Sequence, residues 1–146
     1  DDYFTEDSVL EDTDFFADVT VLSARLDSDS AHYTLKINSL VSKTGEESKT
    51  NITIESSTPY IMQESREYFI PLRKENGTYS IVFENAPQIE ISLDGDIVFQ
   101  NGWKSLDDDS GILKDSQKSK NDYFYDRMRY SSKNDLQDLL AKWRTM

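Results

Sequence analysis

The sequence predicts a mainly β domain, a small antiparallel barrel followed by a C-terminal α-helix. Apolar and polar residues alternate from about residue 17 to residue 100, turn residues interrupt the alternation at short intervals, and the chain ends in a helical apolar pattern. No helical stretch of crossover length separates the strands, which disfavours a parallel nucleotide-binding sheet. With 146 residues, the chain has the size of one domain.

The first predicted strands each carry one apolar face. These faces comprise Ala17, Val19 and Val21, then Ala31, Tyr33, Leu35 and Ile37, and then Ile52 and Ile54. The polar run of residues 27–30 forms the first turn, and Thr44-Gly45-Glu46 precedes the third strand. Residues spaced by two along a strand share a face, so these strands have one dry side.

The later strands follow the same pattern. Their apolar residues are Tyr68, Ile70 and Leu72, then Tyr79, Ile81 and Phe83, then Ile89, Ile91 and Leu93, and finally Ile97 and Phe99. Asn76-Gly77 and Asp94-Gly95 both predict two-residue type I′ hairpin turns. Pro71 lacks a backbone N–H, which predicts an edge position for its strand. The β core therefore spans residues 17–103, with about seven short strands in all.

The C-terminal residues predict a polar connection over 104–130 and an amphipathic helix over 131–146 that packs on the core. The apolar stripe of the helix is formed by Leu136, Leu139, Leu140 and Trp143. Ser132 and Asp135 have the spacing of a capping box, with Asp in place of the usual Glu.

The N-terminal residues 1–16 predict an acidic arm or tether. Residues 1–18 hold eight acids and no base, and such self-repelling segments tend to stay extended. The alternative is a short helix pinned to the domain by Val9, Leu10, Phe15 and Phe16. Because the sequence opens without Met, we also expect that a targeting segment preceded it, which predicts an extracellular or cell-surface location.

Composition narrows the classes of partner. The net charge of −12 repels phosphate backbones and anionic lipids, so we expect no nucleic acid partner, and membrane contact only through a removed N-terminal anchor. A cationic ligand or a protein is the expected partner. The absence of cysteine rules out disulfides, thiolate metal sites and cysteine nucleophiles, and we expect no cofactor.

No catalytic residue is predicted. His32 is the only histidine, and it lies on the polar face of a strand, where a surface role is the expected one. Asp107 and Asp109 are weak candidates for Ca²⁺ ligands, since the positions six and twelve counted from Asp107 lack the Gly and Glu of a calcium loop. Among the aromatic residues, Trp103 and Tyr79 are the candidates for contact with a partner.

The order of elements from Ala17 to Phe99 resembles the netrin-like branch of OB-fold barrels, found in metalloproteinase inhibitors and in exported bacterial domains. The resemblance rests on the paired opening strands, the strand at residues 51–54, the segment 63–72, the segment 77–82 and the Asp94-Gly95 hairpin. It implies an OB-like barrel that is exported or lipid-anchored. Ser65-Arg66-Glu67-Tyr68 lacks the Gly usual before this Glu-Tyr in the bacterial relatives. The inhibitors bind the catalytic zinc through an N-terminal cysteine, and because this chain contains no cysteine, that mechanism does not carry over.

These observations predict a non-catalytic extracytoplasmic binding or interaction module, of a bacterial cell-surface lipoprotein or a secreted protein. One alternative is a lipocalin-like carrier, although about eight strands are needed to enclose even a small ligand. A second alternative is a carboxylate-based hydrolase, which requires two acids in one cleft with separated pKa values.

Overall fold

A computed structural model describes residues 6–56, 61–82, 88–98 and 130–146. The elements are α1 (Glu6–Asp12), β1 (Phe15–Leu26), β2 (Ala31–Ser42), β3 (Glu46–Glu47), β4 (Asn51–Ser56), β5 (Glu67–Glu75), β6 (Thr78–Ile81), β7 (Ile89–Ile91), β8 (Ile97–Val98), a 3₁₀ turn (Lys133–Asp135) and α2 (Leu136–Arg144). The predicted mainly β class with antiparallel strands and a C-terminal helix is confirmed. Within these ranges, every helix is too short or too polar to cross a bilayer.

The eight strands form one antiparallel sheet. Its main path is β3-β2-β1-β5-β7-β8, with β4 paired to β2 and β6 paired to β5. The predicted closure into a barrel is not found in the described residues, because β4 and β6 lie side by side without backbone pairing. A closed barrel needs a continuous ladder of hydrogen bonds around its circumference, and here the ladder stops at these two strands.

One face of the curled sheet encloses the first core. The predicted alternation is confirmed in β1, β2, β4, β5 and β6, whose inward residues are buried. They include Ala17, Val19, Val21, Tyr33, Leu35, Ile52, Ile54, Tyr68, Ile70, Leu72, Tyr79 and Ile81. The side chains of this face fill the space between the strands, as expected for a close-packed interior.

The opposite face is covered by the two helices. Phe16 stacks on Phe69 with ring centroids 4.9 Å apart, and Trp143 of α2 meets Phe16 edge-on, also at 4.9 Å. The indole Nε1–H of Trp143 donates a hydrogen bond to the Thr13 carbonyl at 3.2 Å. Residues 6–12 form α1, which buries Val9 and Leu10, so this segment follows the short-helix alternative and not the extended arm.

The two predicted hairpin turns have different outcomes. Asn76 and Gly77 both have positive φ, 52° and 80°, as a type I′ turn requires. Of the second pair only Gly95 does, with φ of 84°, and its N–H donates to the Ser92 carbonyl at 2.9 Å. The type I′ prediction is therefore wrong there. The loop has an extra residue, which leaves Leu93 fully exposed.

The edge position predicted from Pro71 is also wrong, since β5 pairs with β1 on one side and with β6 and β7 on the other. The Pro71 carbonyl accepts a hydrogen bond from the Val82 N–H at 2.9 Å. Its missing N–H would point the same way, to the place where β6 has ended and β7 has not begun. A central strand tolerates proline here because the missing N–H falls beyond the last paired residue of β6 and before the first paired residue of β7.

The predicted capping box begins the C-terminal helical segment. The Asp135 carboxylate accepts hydrogen bonds from the Ser132 N–H at 3.0 Å and the Ser131 N–H at 2.8 Å. These bonds favour the charged form and lower the pKa of Asp135. The predicted stripe of α2 is buried: Leu136, Leu139, Leu140 and Trp143.

Candidate functional site

A groove lies where the sheet fails to close. It runs between the beginnings of β4 and β6 and has a volume of about 320 Å³. The residues that line it are Lys49, Asn51, Ile52, Thr53, Gly77, Thr78 and Tyr79. Its walls are thus two strands, a hairpin turn and the loop before β4, all fixed by the sheet.

Backbone groups of both strands face the groove. The Thr50 carbonyl accepts from the Ile37 N–H of β2, so in an alternating ladder Asn51 and Thr53 direct their N–H and C=O away from β2. The Val82-to-Pro71 bond fixes the same alternation in β6. Tyr79 therefore directs its backbone groups away from β5. Within the described ranges, the edges of β4 and β6 that flank the groove have no strand paired to them.

The Tyr79 side chain is the most constrained of the lining residues. It is 5% exposed, and its ring meets Phe15 edge-on with centroids 5.9 Å apart. Its hydroxyl is buried and has no hydrogen-bond partner among the described residues. Burying an unsatisfied hydroxyl costs about 1–3 kcal/mol, so the free protein carries an unmet hydrogen-bonding requirement here.

Two lysines cover the Tyr79 ring. The Nζ atom of Lys49 lies 5.5 Å from the ring centroid and that of Lys74 lies 5.3 Å from it, both within cation–π range. The two ammonium groups are therefore separated by no more than the sum of these two distances. Neither lysine forms an ion pair with any carboxylate of the described residues. Lys49 lines the groove, and Lys74 lies beside it over the same ring, with the Asp14 carboxylate hydrogen-bonded to the Lys74 backbone N–H at 3.0 Å.

Of the residues predicted from sequence to contact a partner, the structure places Tyr79 at the groove. Trp103, Asp107 and Asp109 lie outside the described residues. The sequence analysis missed both lysines. The position of Lys74 could have been predicted from the Asn76-Gly77 turn, because a two-residue hairpin pairs Lys74 with Tyr79 on the neighbouring strand. No local signal identifies Lys49, which arrives through pairing of distant strands.

His32 forms a local polar cluster. Its Nε2 atom lies 2.7 Å from the Asp27 carboxylate and 3.2 Å from the Ser30 hydroxyl. In a Ser-His-Asp relay the acid and the nucleophile occupy opposite ring nitrogens, whereas here both contact the same one. The contacts join the ends of β1 and β2 around their turn, as expected for a histidine with a structural role.

A pair of carboxylates, Asp18 and Glu67, lies near the start of the C-terminal helical segment. The Lys133 ammonium contacts both, at 2.9 Å each, and the Asn38 amide donates to Asp18 at 3.1 Å. Burial, followed by the neighbouring Asp18, raises the pKa of Glu67. Hydrogen bonds to both acids raise the pKa of Lys133. The cluster ties the C-terminal segment to β1 and β5.

The described ranges bring together no group of three or more His, Asp or Glu side chains suited to holding a metal ion. No protein-family model matches this chain, and no curated protein matches its sequence. The functional inference therefore rests on the geometry of the groove itself.

Proposed function

We propose that this chain is a non-catalytic binding module that acts outside the cytoplasm and binds a protein partner through the groove between β4 and β6. One observation carries the proposal: Tyr79 lines the groove, and its buried hydroxyl has no hydrogen-bond partner among the described residues. Buried polar groups normally have partners, so this hydroxyl offers a hydrogen bond that a bound ligand can complete. Backbone groups of β4 and β6 that lack strand partners in the part of the chain the structure describes add donors and acceptors along the groove.

The two alternative functions have less support. A carboxylate-based hydrolase needs one acid that is available to donate a proton, whereas Lys133 occupies both members of the Asp18 and Glu67 pair. A lipocalin-like carrier needs an interior cavity, and the residues of the enclosed face pack against one another. We therefore favour binding at the surface over catalysis or enclosure.

The extracellular or cell-surface location belongs to the same proposal. It rests on the resemblance of the strand order to exported netrin-like domains. Fractionation of the source cells with an antibody against the full chain tests it. Recovery of the chain in the envelope or medium agrees with the proposal, and recovery in the cytosol alone contradicts it.

A display library of random peptides, selected on the purified full chain, tests the binding function. We expect selected peptides to bind the unaltered protein and to lose binding to Thr53→Trp, in which an exposed groove residue becomes bulky. Ser23→Trp is the matched control, because Ser23 is also exposed on a strand but does not line the groove.

Urea denaturation of both variants verifies that each is folded before binding is compared. Peptides that bind Thr53→Trp as tightly as the unaltered protein would place recognition elsewhere and overturn the use of this groove. A selection that enriches no peptide above background would contradict the peptide-binding function itself.

A further inference from the structure

We propose that the group recognised in this groove is a carboxylate, carried by an acidic side chain of the partner protein. This inference rests on the proposed function and specifies its ligand. Three features of the groove lead to it: the two lysines, the unmet hydroxyl and the narrow seam between the strands.

The lysines supply the charge complementarity. Lys49 and Lys74 place two ammonium groups around one ring, and neither ammonium group forms an ion pair with a carboxylate of the described residues, although Asp14 accepts from the Lys74 backbone N–H. Like charges at this separation repel each other, so an anion between them removes an unfavourable interaction and gains two favourable ones. In contrast, Lys133 and Lys142 each contact two carboxylates of this chain. Lys49 and Lys74 instead share contact with one aromatic ring.

The Tyr79 hydroxyl supplies the donor. An ionised carboxylate accepts hydrogen bonds and donates none, and its bonds with charged or hydroxyl donors are among the stronger ones in proteins. Lysine side chains are long and flexible, so Lys49 and Lys74 can move from the ring toward an anion, and the buried hydroxyl reaches the anion only if such a movement uncovers it. One carboxylate then meets both ammonium groups and the hydroxyl.

The spacing between β4 and β6 leaves room for a side chain of the ligand but not for an inserted strand. Cα atoms of β4 and β6 approach to within 8 Å. A strand placed between them needs about 4.8 Å on each side, which is more than this spacing provides. A side chain that enters from the surface fits the groove, while its backbone lies over the open edges. The net charge of −12 repels ligands with many phosphates, which favours a single carboxylate.

Titration of the full chain with two blocked peptides, Ala-Ala-Glu-Ala-Ala and Ala-Ala-Gln-Ala-Ala, tests the inference by NMR chemical-shift mapping. We expect the Glu peptide to perturb the amides of Thr53, Thr78 and Tyr79 and to bind at least tenfold more tightly than the Gln peptide. Lys49→Gln and Lys74→Gln should each weaken binding about threefold to tenfold, and 0.5 M NaCl should weaken it further. Lys43→Gln is the matched control, because Lys43 also lies over an aromatic ring, that of Trp143, at 5.8 Å, and does not line the groove.

Tyr79→Phe separates a binding role from a structural one. Because the hydroxyl has no partner in the free protein, its removal should leave the urea midpoint unchanged or raised, and yet weaken binding of the Glu peptide about tenfold. A lowered midpoint with unchanged affinity would assign the hydroxyl to folding and overturn its role in recognition.

The outcomes also separate this inference from the proposed function. Equal binding of the Glu and Gln peptides, or perturbed amides remote from the groove, overturns the carboxylate inference. If library peptides then still depend on Thr53, the binding function stands with a different ligand group. If inorganic phosphate competes with the Glu peptide at equal concentration, the groove binds anions in general and selectivity for a carboxylate is refuted.

Discussion

Replacement of Trp143 by alanine tests how the C-terminal helix holds the fold together. Trp143 is fully buried, packs edge-on against Phe16 and donates a hydrogen bond to the Thr13 carbonyl. A large aromatic side chain buries about 200 Å², which at about 25 cal/mol per Å² corresponds to about 5 kcal/mol as an upper bound. Measured losses for such truncations are about 3–5 kcal/mol, and that is the expected decrease in the free energy of unfolding.

Urea denaturation followed by circular dichroism measures this decrease. With a slope of about 2 kcal/mol per molar urea, a loss of about 4 kcal/mol lowers the midpoint by about 2 M. Domains of this size are stable by about 5–15 kcal/mol, so Trp143→Ala is expected to fold but to retain little stability. Trp143→Phe keeps most of the ring contact without the N–H donor and should lose about 1–2 kcal/mol.

Gln137→Ala is the control within the same helix, because Gln137 is exposed and alanine is a good helix former. It should change stability by less than about 0.5 kcal/mol. A loss below about 1 kcal/mol for Trp143→Ala, with Gln137→Ala unchanged, would refute the packing of α2 against Phe16.

Two further changes test the turn and the carboxylate pair. Gly77→Ala should lower the free energy of unfolding by about 1–2 kcal/mol, because φ at Gly77 is 80°. Gly45→Ala is the control and should be neutral or slightly stabilising, because Gly45 lies outside the left-handed region and an added Cβ meets no neighbour. Equal urea midpoints for the two variants would contradict the turn assignment. The pKa of Glu67 is higher in the folded protein than in the unfolded chain, where it is near 4.5. The contribution of Glu67 to the free energy of unfolding is therefore most favourable below pH 4.5 and is lost as the pH rises through the folded-state pKa. Glu67→Gln should therefore be more stable than the unaltered protein at pH 7, and the two should be equally stable below pH 4.5. Urea midpoints at pH 4 and pH 7 measure this difference. If Glu67→Gln is instead the less stable protein at pH 7, the Lys133 contact outweighs burial and the Asp18 charge.

Total charge and local charge lead to different expectations about the partner. The net charge of −12 predicts a cationic ligand, and that prediction concerns long-range attraction between whole molecules. Two lysines whose ammonium groups form no ion pair within the described ranges lie over Tyr79 at the groove, and recognition at contact distance follows these local charges. An acidic side chain within an otherwise basic partner would satisfy both.

The sequence by itself determined the properties that depend on local pattern. Alternation assigned the inward residues of β1, β2, β4, β5 and β6, since a strand that buries one face must repeat every second residue. Asn76-Gly77 determined a hairpin turn, because both positions need positive φ. The apolar spacing and the Ser132 capping box determined the terminal helix and its buried side.

Only the tertiary structure decided what depends on contacts between distant segments. Whether β4 and β6 pair is set by the curl of the whole sheet, and no local pattern encodes it. Pro71 shows the same dependence. Its strand can be central because the missing N–H falls between the end of β6 and the beginning of β7. The groove exists because Lys49 arrives beside Tyr79 through such non-local pairing, so its charge and its unmet hydrogen bond become evident only once the strands are assembled.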